Sequence, residues 1–365
     1  MRRILIVLLF ATVVAPSSSC AAFPREVREP TQEVAWSVRP ARMMECGHYS
    51  DFIYKVLWTR DSDKYVLAIK RWKDGLLSEA STFDLPPGAN ITPVPQGICG
   101  LKYKRETDPW PFVLIRLKDG EILKEWEPDS DWFCYQAGSS HNGDFIALFM
   151  ARNRYPYYGG LVDLIDVRSQ ERHSIGELVS DRWATAETVL VTDDGRYVAV
   201  IGWDNGTAMI DAKEGRVLWS KRPEGEISSG YGAFSPDDKK IFTTGSSGCV
   251  FEIDVATGDV LKERWATPTG TLINGLRSEA LAVSPDGQWL AAGLTPTGDV
   301  YVWSLKEGGR PLILKHGYGA MQLVAFSPES KSIATMVNGQ VKVWSLEKLM
   351  PHPTSAPASS PASRP

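Results

Sequence analysis

The stretch Ala282–Leu305 limits what this chain can become. It reads Ala-Val-Ser-Pro-Asp-Gly-Gln-Trp-Leu-Ala-Ala-Gly, a short turn, then Gly-Asp-Val-Tyr-Val-Trp-Ser-Leu. Ser284-Pro285-Asp286-Gly287 is turn chemistry: Pro presets φ, Asp bonds its own downstream backbone, and Gly accepts a positive φ. Trp289–Ala292 is apolar and too short for a helix. Val300–Trp303 is β-branched and aromatic, the composition of a strand. Both faces of that strand are apolar, so it needs cover on two sides, as when sheets stack face to face.

Weaker copies recur. The turn before the second strand is anchored at Asp63, Gly143, Gly195, Asp238, Gly287 and Ser330. From Gly143 onward the intervals are 52, 43, 49 and 43 residues, whereas Asp63 to Gly143 is 80. The long interval hides a divergent unit built on Ile98–Tyr103, Phe112–Leu117 and Glu121–Trp126, making seven. A hairpin follows the third strand in several units: compare Val113–Trp126, Ala208–Trp219 and Val250–Leu261, each with a polar turn ending in Gly. Four strands in about 43 residues is a propeller period.

The residues Ala233-Phe-Ser-Pro-Asp-Asp238, Val283-Ser-Pro-Asp-Gly287 and Ala325-Phe-Ser-Pro328, with strand ends Val302-Trp-Ser304 and Val343-Trp-Ser345, resemble a WD-repeat or YVTN-type β-propeller of an exported, bacterial type. The resemblance implies an all-β fold: a seven-bladed β-propeller of four-stranded antiparallel blades. The hairpins Asp211–Trp219 and Asp254–Trp265 also resemble quinoprotein-type repeats, which would make eight blades. Trp-Ser replaces the family's Trp-Asp pair, and Gly47-His48 is an isolated Gly-His, so the family's buried His-to-Asp network is not carried over. The last unit has three strands, Leu323–Ser327, Ser332–Met336 and Gln340–Leu346. The extended run Glu33–Val38 is expected to supply the fourth and close the ring, removing an exposed edge. The expected divisions are a signal peptide at 1–22, the propeller at 30–349, and a Pro/Ser/Ala tail at 350–365 too poor in apolar residues to order itself.

The expectation of export rests on Met1–Ala22. Arg2 and Arg3 form a basic start, Ile4–Val14 is an apolar run too short to span a bilayer comfortably, and small residues follow. Cleavage near Ala21 or Ala22 gives a periplasmic or secreted protein; lipidation of Cys20 would instead anchor it to a membrane. Losing Arg2 and Arg3 takes the net charge from −4 to −6, which argues against nucleic acid as a partner. Export permits disulfides. Cys46, Cys99, Cys134 and Cys249 allow three pairings, with Cys99 and Cys134 in equivalent early strands, or stay as buried thiols.

No motif names a reaction. His48, His141, His173, His316 and His352 lack metal-site spacing and read as isolated surface or loop residues. Asp61-Ser-Asp63 and Asp129-Ser-Asp131 lack the Gly and Glu of a calcium loop. There is no Gly-x-Ser-x-Gly elbow and no phosphate-binding fingerprint, so no cofactor is expected. The expected inner strands, among them Ile53–Leu57 and Ile98–Tyr103, carry few charged residues beyond Lys55 and Lys102, which disfavours catalysis in the channel. One pattern stands out in the connections between second and third strands. Four adjacent units carry Arg71 and Trp72; Arg105 and Trp110; Arg152, Arg154, Tyr155, Tyr157 and Tyr158; and Trp203. The other three carry Ser246-Ser-Gly248, Thr295-Pro-Thr297 and Asn338-Gly339. Trp, Tyr and Arg dominate interface hot spots and also stack on sugars. The resulting expectation is a non-enzymatic scaffold that binds a protein partner on one face over units one to four. A lactonase-like or quinone-dependent propeller enzyme and a carbohydrate-binding wall protein are the alternatives.

Overall fold

The computed structural model describes residues 25–34, 42–49, 52–59, 64–85, 91–94, 97–101, 112–116, 121–126, 132–152, 160–178, 186–202, 206–222, 228–245, 248–266, 277–306 and 308–349. Residues 1–22, expected to be a signal peptide, and the expected tail at 350–365 lie outside them. Among the described residues the strands form seven sheets, with a single short helix at Leu346–Leu349.

Each sheet is numbered in chain order and its strands from first to fourth. Sheet 1 comprises Arg42–Tyr49, Phe52–Thr59, Lys64–Lys73 and Leu76–Leu85; sheet 2 comprises Ile91–Val94, Gly97–Leu101, Phe112–Ile115 and Ile122–Trp126. Sheet 3 comprises Trp132–Ser139, Phe145–Arg152, Gly160–Asp166 and Glu171–Leu178; sheet 4 comprises Thr188–Val191, Tyr197–Gly202, Gly206–Asp211 and Arg216–Lys221. Sheet 5 comprises Ser228–Phe234, Lys240–Gly245, Cys249–Asp254 and Val260–Trp265; sheet 6 comprises Arg277–Val283, Trp289–Thr295, Asp299–Ser304 and Leu312–Lys315. Sheet 7 has Met321–Phe326, Ser332–Val337 and Gln340–Ser345, and its fourth strand is Gln32–Val34, antiparallel to Gln340–Ser345. The closing strand is therefore the one expected, although Ala35–Val38 lies outside the described residues.

First strands of successive sheets contact one another, and the first strand of sheet 7 contacts that of sheet 1, so the sheets form a closed ring. Apolar clusters fill the seams. Ile146, Leu148 and Met150 pack with Phe112 and Leu114 between sheets 2 and 3; Val302, Leu314 and Trp344 pack between sheets 6 and 7. Each such side chain contributes about 1.5–3 kcal/mol by leaving water. This burial on both faces explains why the third strands read as continuous apolar runs.

The repeated turn between first and second strands has one construction. Ser or Thr directly follows the first strand, and its hydroxyl donates to an Asp or Asn two residues on: Ser140 to Asn142 at 2.7 Å, Thr192 to Asp194 at 2.7 Å, Ser235 to Asp237 at 2.6 Å. The same hydroxyl accepts from the first amide of the second strand, as Tyr197 N to Thr192 Oγ1 at 3.0 Å. Gly143, Gly195, Asp238, Gly287 and Ser330 all have φ between 56° and 71° at the same place. The five later anchors are thus structurally equivalent.

Sheet 1 differs from expectation. Ile53–Leu57 lies in the second strand, Asp63 follows it, and the first strand is Arg42–Tyr49. Ile98 likewise belongs to a second strand, since Ile91–Val94 is the first. The sequence clue was Lys73-Asp74-Gly75, which repeats the residues Lys118-Asp119-Gly120; Asp74 and Gly75 both have positive φ. The first strand of sheet 1 is therefore Arg42–Tyr49 and not the apolar run Ile53–Leu57 expected there. An unexpected fifth strand, Glu26–Val27, runs parallel to Leu312–Lys315 on sheet 6. The β-structure therefore begins four residues before the expected boundary at residue 30.

Candidate interaction surface

Strand direction sorts the loops onto two faces. The turn face carries the first-to-second and third-to-fourth turns. The connection face carries the second-to-third connections and the links between sheets.

The structure divides the ten expected binding residues. Arg71 and Trp72 sit near the end of the third strand of sheet 1, beside the Asp74-Gly75 turn, and so belong to the turn face. Trp72 is half-buried against Ile53, Leu77 and Val343 in the seam between sheets 7 and 1. Its indole Nε1 is buried with no hydrogen-bond partner among the described residues. It is a packing residue, which removes it from the expected arc; its polar flanks, Arg71 and Lys73, made it look like a loop. Arg152 ends the second strand of sheet 3, Cα-paired with Trp132 at the connection-face end. Arg105, Trp110, Arg154, Tyr155, Tyr157, Tyr158 and Trp203 lie outside the described residues. The strands that flank them end and begin on the connection face.

Over sheets 6 and 7 the second-to-third connections and the link between the two sheets are described throughout. His316-Gly-Tyr-Gly-Ala320 links the two sheets, and its main chain is bonded on every side. Gly319 N donates to Pro296 O at 2.8 Å, Ala320 N to Asn338 Oδ1 at 3.1 Å, and Met321 N to Thr295 Oγ1 at 2.9 Å. Asn338 Nδ2 donates to Tyr318 O at 3.4 Å, and Lys342 Nζ to His316 O at 2.9 Å. Tyr318 at the apex is 80% exposed. A sequence search confined to second-to-third connections misses it; the signal was the flanking pair Gly317 and Gly319.

His316 is not a surface histidine. It is buried, and its Nδ1 lies 2.7 Å from Thr335 Oγ1, which also accepts from Trp344 Nε1 at 2.9 Å. Burial first, then the Lys342 charge, lowers its pKa to about 4. A buried His-Thr-Trp chain therefore exists in sheet 7, with Asn338 rather than an acid in the neighbouring turn.

On the turn face, Asp193, Asp194, Asp237 and Asp238 gather where the turns of sheets 4 and 5 meet. Asp193 N donates to Asp238 Oδ2 at 3.3 Å. Burial, followed by the charges of its three neighbours, raises the Asp238 pKa to about 6. Among the described residues no group of three or more His, Cys, Asp or Glu is placed to hold a metal ion. Cys134 and Cys249 are buried thiols in different sheets, so none of the three complete disulfide pairings is realised. Burial pushes the Cys134 thiol up to about 12, keeping it protonated and unreactive. Cys99 lies in a second strand and Cys134 in a first, so their expected equivalence fails.

Compared with known structures, the chain is similar to the β-propeller domain of Cps50 (Swd1) from Myceliophteria thermophila. The TM-score is 0.61 at 14% identity, covering 87% of this chain and 99% of that one. The fold is a β-propeller. In sequence, 68 residues are 37% identical to the pre-rRNA-processing protein crb3/ipi3 of Schizosaccharomyces pombe. That match spans 18% of this chain and only 15% of the relative's length. No family model matches the sequence.

Proposed function

We propose that this propeller has seven blades of the WD-repeat kind and acts as a non-enzymatic scaffold that binds a protein partner outside the cytoplasm. The partner docks on the connection face over blades 2 to 4. The observation that carries this reading is topological. The described strands on either side of residues 102–111, 153–159 and 203–205 are second and third strands of their sheets, and on that basis we assign Arg105, Trp110, Arg154, Tyr155, Tyr157, Tyr158 and Trp203 to the connection face. A stable body that displays aromatic and Arg-rich connections suits protein recognition. The likeness to a propeller domain supports the architecture, and the basic start and apolar run before Ala22 support export.

The test is a triple replacement, Trp110→Ala, Arg154→Ala and Tyr157→Ala, with Arg71→Ala on the opposite face as control. Capture of a partner from the exported fraction should be lost in the triple variant and kept in the control, with melting temperatures unchanged. A triple variant that still captures the same partner refutes the assignment of the face.

A further inference from the structure

The segment Arg25–Val34 ties three sheets together while burying almost nothing. Arg25 O accepts from Ile313 N at 2.9 Å, and Glu26 and Val27 pair with Ile313 and Leu314 on the edge of sheet 6. Arg28-Glu-Pro30 crosses to sheet 7. There Thr31 N donates to Val343 O at 2.7 Å and Thr31 Oγ1 accepts from Ser345 N at 2.9 Å. Gln32–Val34 then completes the sheet. The Gln32 side chain turns away from sheet 7 and clamps sheet 1. Its amide donates to Leu77 O and accepts from Leu77 N, both at 3.0 Å. None of the ten residues from Arg25 to Val34 is buried. What they cover is buried completely: Leu314, Val343 and Trp344 are each 0% exposed.

This contrast separates the segment from the sheets energetically. Its attachment rests on main-chain pairing, the Gln32 amide, the Thr31 hydroxyl, a bond from Arg25 Nη1 to Leu349 O at 2.5 Å, and ion pairs such as Glu26 to Lys315 at 3.5 Å, which contribute little. Only Val27 and Val34 add apolar contact. Most of the packing beneath these edges is between residues of the sheets themselves, Val302 and Leu314 with Trp344, and Leu323 with Val341 and Val343. Locally attached elements of this kind open at a fraction of the global unfolding free energy. An opened edge offers unpaired main-chain groups to any strand of matching sequence.

We infer that Arg25–Val34 is an exchangeable strap: it opens while the sheets stay folded, and the vacated edges accept the same segment from a second copy of this chain. The second copy is the occupant because the edges already match this sequence in two registers, and Leu77 is placed to take the Gln32 amide. Within one chain the effective concentration of the strap favours the closed monomer, so exchange emerges at high protein concentration.

Three measurements on the molecule test this. In the full chain, the Ile313 and Ser345 amides should exchange with deuterium at least about 100-fold faster than those of Ala325 and Ala334, paired inside sheet 7. Equal rates would mean that the strap leaves only on global unfolding and would overturn the proposal. A chain starting at Ala35 should bind a synthetic Arg25–Val34 peptide, about tenfold more weakly when the peptide carries Gln32→Ala. A folded chain that ignores the peptide overturns it equally. At roughly 1 mM the full chain should dimerise, and a Val27→Cys, Leu314→Cys variant whose new disulfide tethers the strap should not. A chain that stays monomeric, or a dimer that survives the tether, rules out exchange with a second copy.

Discussion

At the scale of single residues, the half-buried Asp238 and the buried His316 oppose each other in acid. The carboxyl of Asp238 has its pKa raised to about 6, by burial and then by Asp193, Asp194 and Asp237. The folded state therefore binds a proton that the unfolded state releases above pH 3.8. Its contribution is largest below that pH and is lost as pH rises through 6. Asp238→Asn keeps an acceptor for Asp193 N and tolerates the positive φ of 56°. It should stabilise the protein at pH 7 by about 1 kcal/mol after allowance for solvent screening, and leave stability at pH 3.5 unchanged. Urea midpoints at the two pH values check this. His316 has the opposite sign. Its pKa is lowered from 6.5 to about 4, so its neutral form supports the fold above pH 6.5 and that support is lost as pH falls towards 4. His316→Gln should cost about 1–2 kcal/mol at pH 7 through the bond to Thr335. It should also remove about one proton from the uptake on unfolding at pH 5, measurable by the pH dependence of the midpoint.

At the scale of elements, sheet 5 is stitched by charge. Glu252 on its third strand accepts from Lys240 on the second at 2.7 Å and from Arg264 on the fourth at 2.6 Å. Burial pushes the Glu252 pKa up, but the bonds to Lys240 and Arg264 outweigh it and hold the carboxyl below its ordinary value. Asp163 with Arg172 in sheet 3 and Asp299 with Lys315 in sheet 6 repeat the link between third and fourth strands. Arg264→Met should cost about 2 kcal/mol, because the buried Glu252 carboxylate keeps only its bond to the more exposed Lys240, and adding Glu252→Gln should recover roughly half. Denaturant unfolding of the single and double variants measures both. These pairs were invisible in the sequence, because the partners are nine to sixteen residues apart across hairpins of variable length. The strands themselves were legible from Gly143 onward, where Ser-Pro-Asp-Gly chemistry marks each turn. They were misassigned in sheet 1, where third and fourth strands of ten residues each carry polar groups to their ends. The same error placed Arg71 and Trp72 on the wrong face, whereas Arg105, Arg154 and Trp203 lie outside the described residues. Glu26–Val27 left no signal, since two residues show no periodicity.

At the scale of the whole molecule, the ring requires its first strands to approach closely, and glycine permits it. A Cβ on Gly138, in the first strand of sheet 3, would lie 1.8 Å from Val189 O in the first strand of sheet 4. On Gly232, in the first strand of sheet 5, it would lie 2.3 Å from Ile201 Cδ1 and 3.0 Å from Phe242 O. The Val189 obstacle is main chain already committed to its own sheet, so it cannot swing aside. A methyl group there must push two sheets apart, and in a closed ring that displacement passes into every other seam. Gly176, in the fourth strand of sheet 3, is a contrast: its Cβ would meet only Ile210 Cγ2 at 3.5 Å, an ordinary contact. Gly138→Ala should therefore destabilise the protein by about 3 kcal/mol or more. Gly176→Ala should be neutral or stabilising by up to about 0.5 kcal/mol, because Ala narrows the unfolded ensemble. Paired thermal melts distinguish the two. If Gly138→Ala melts with the wild type, the first strands are not in the close contact that closes the ring. If both variants lose stability equally, the loss comes from strand chemistry rather than from the approach of one sheet to the next.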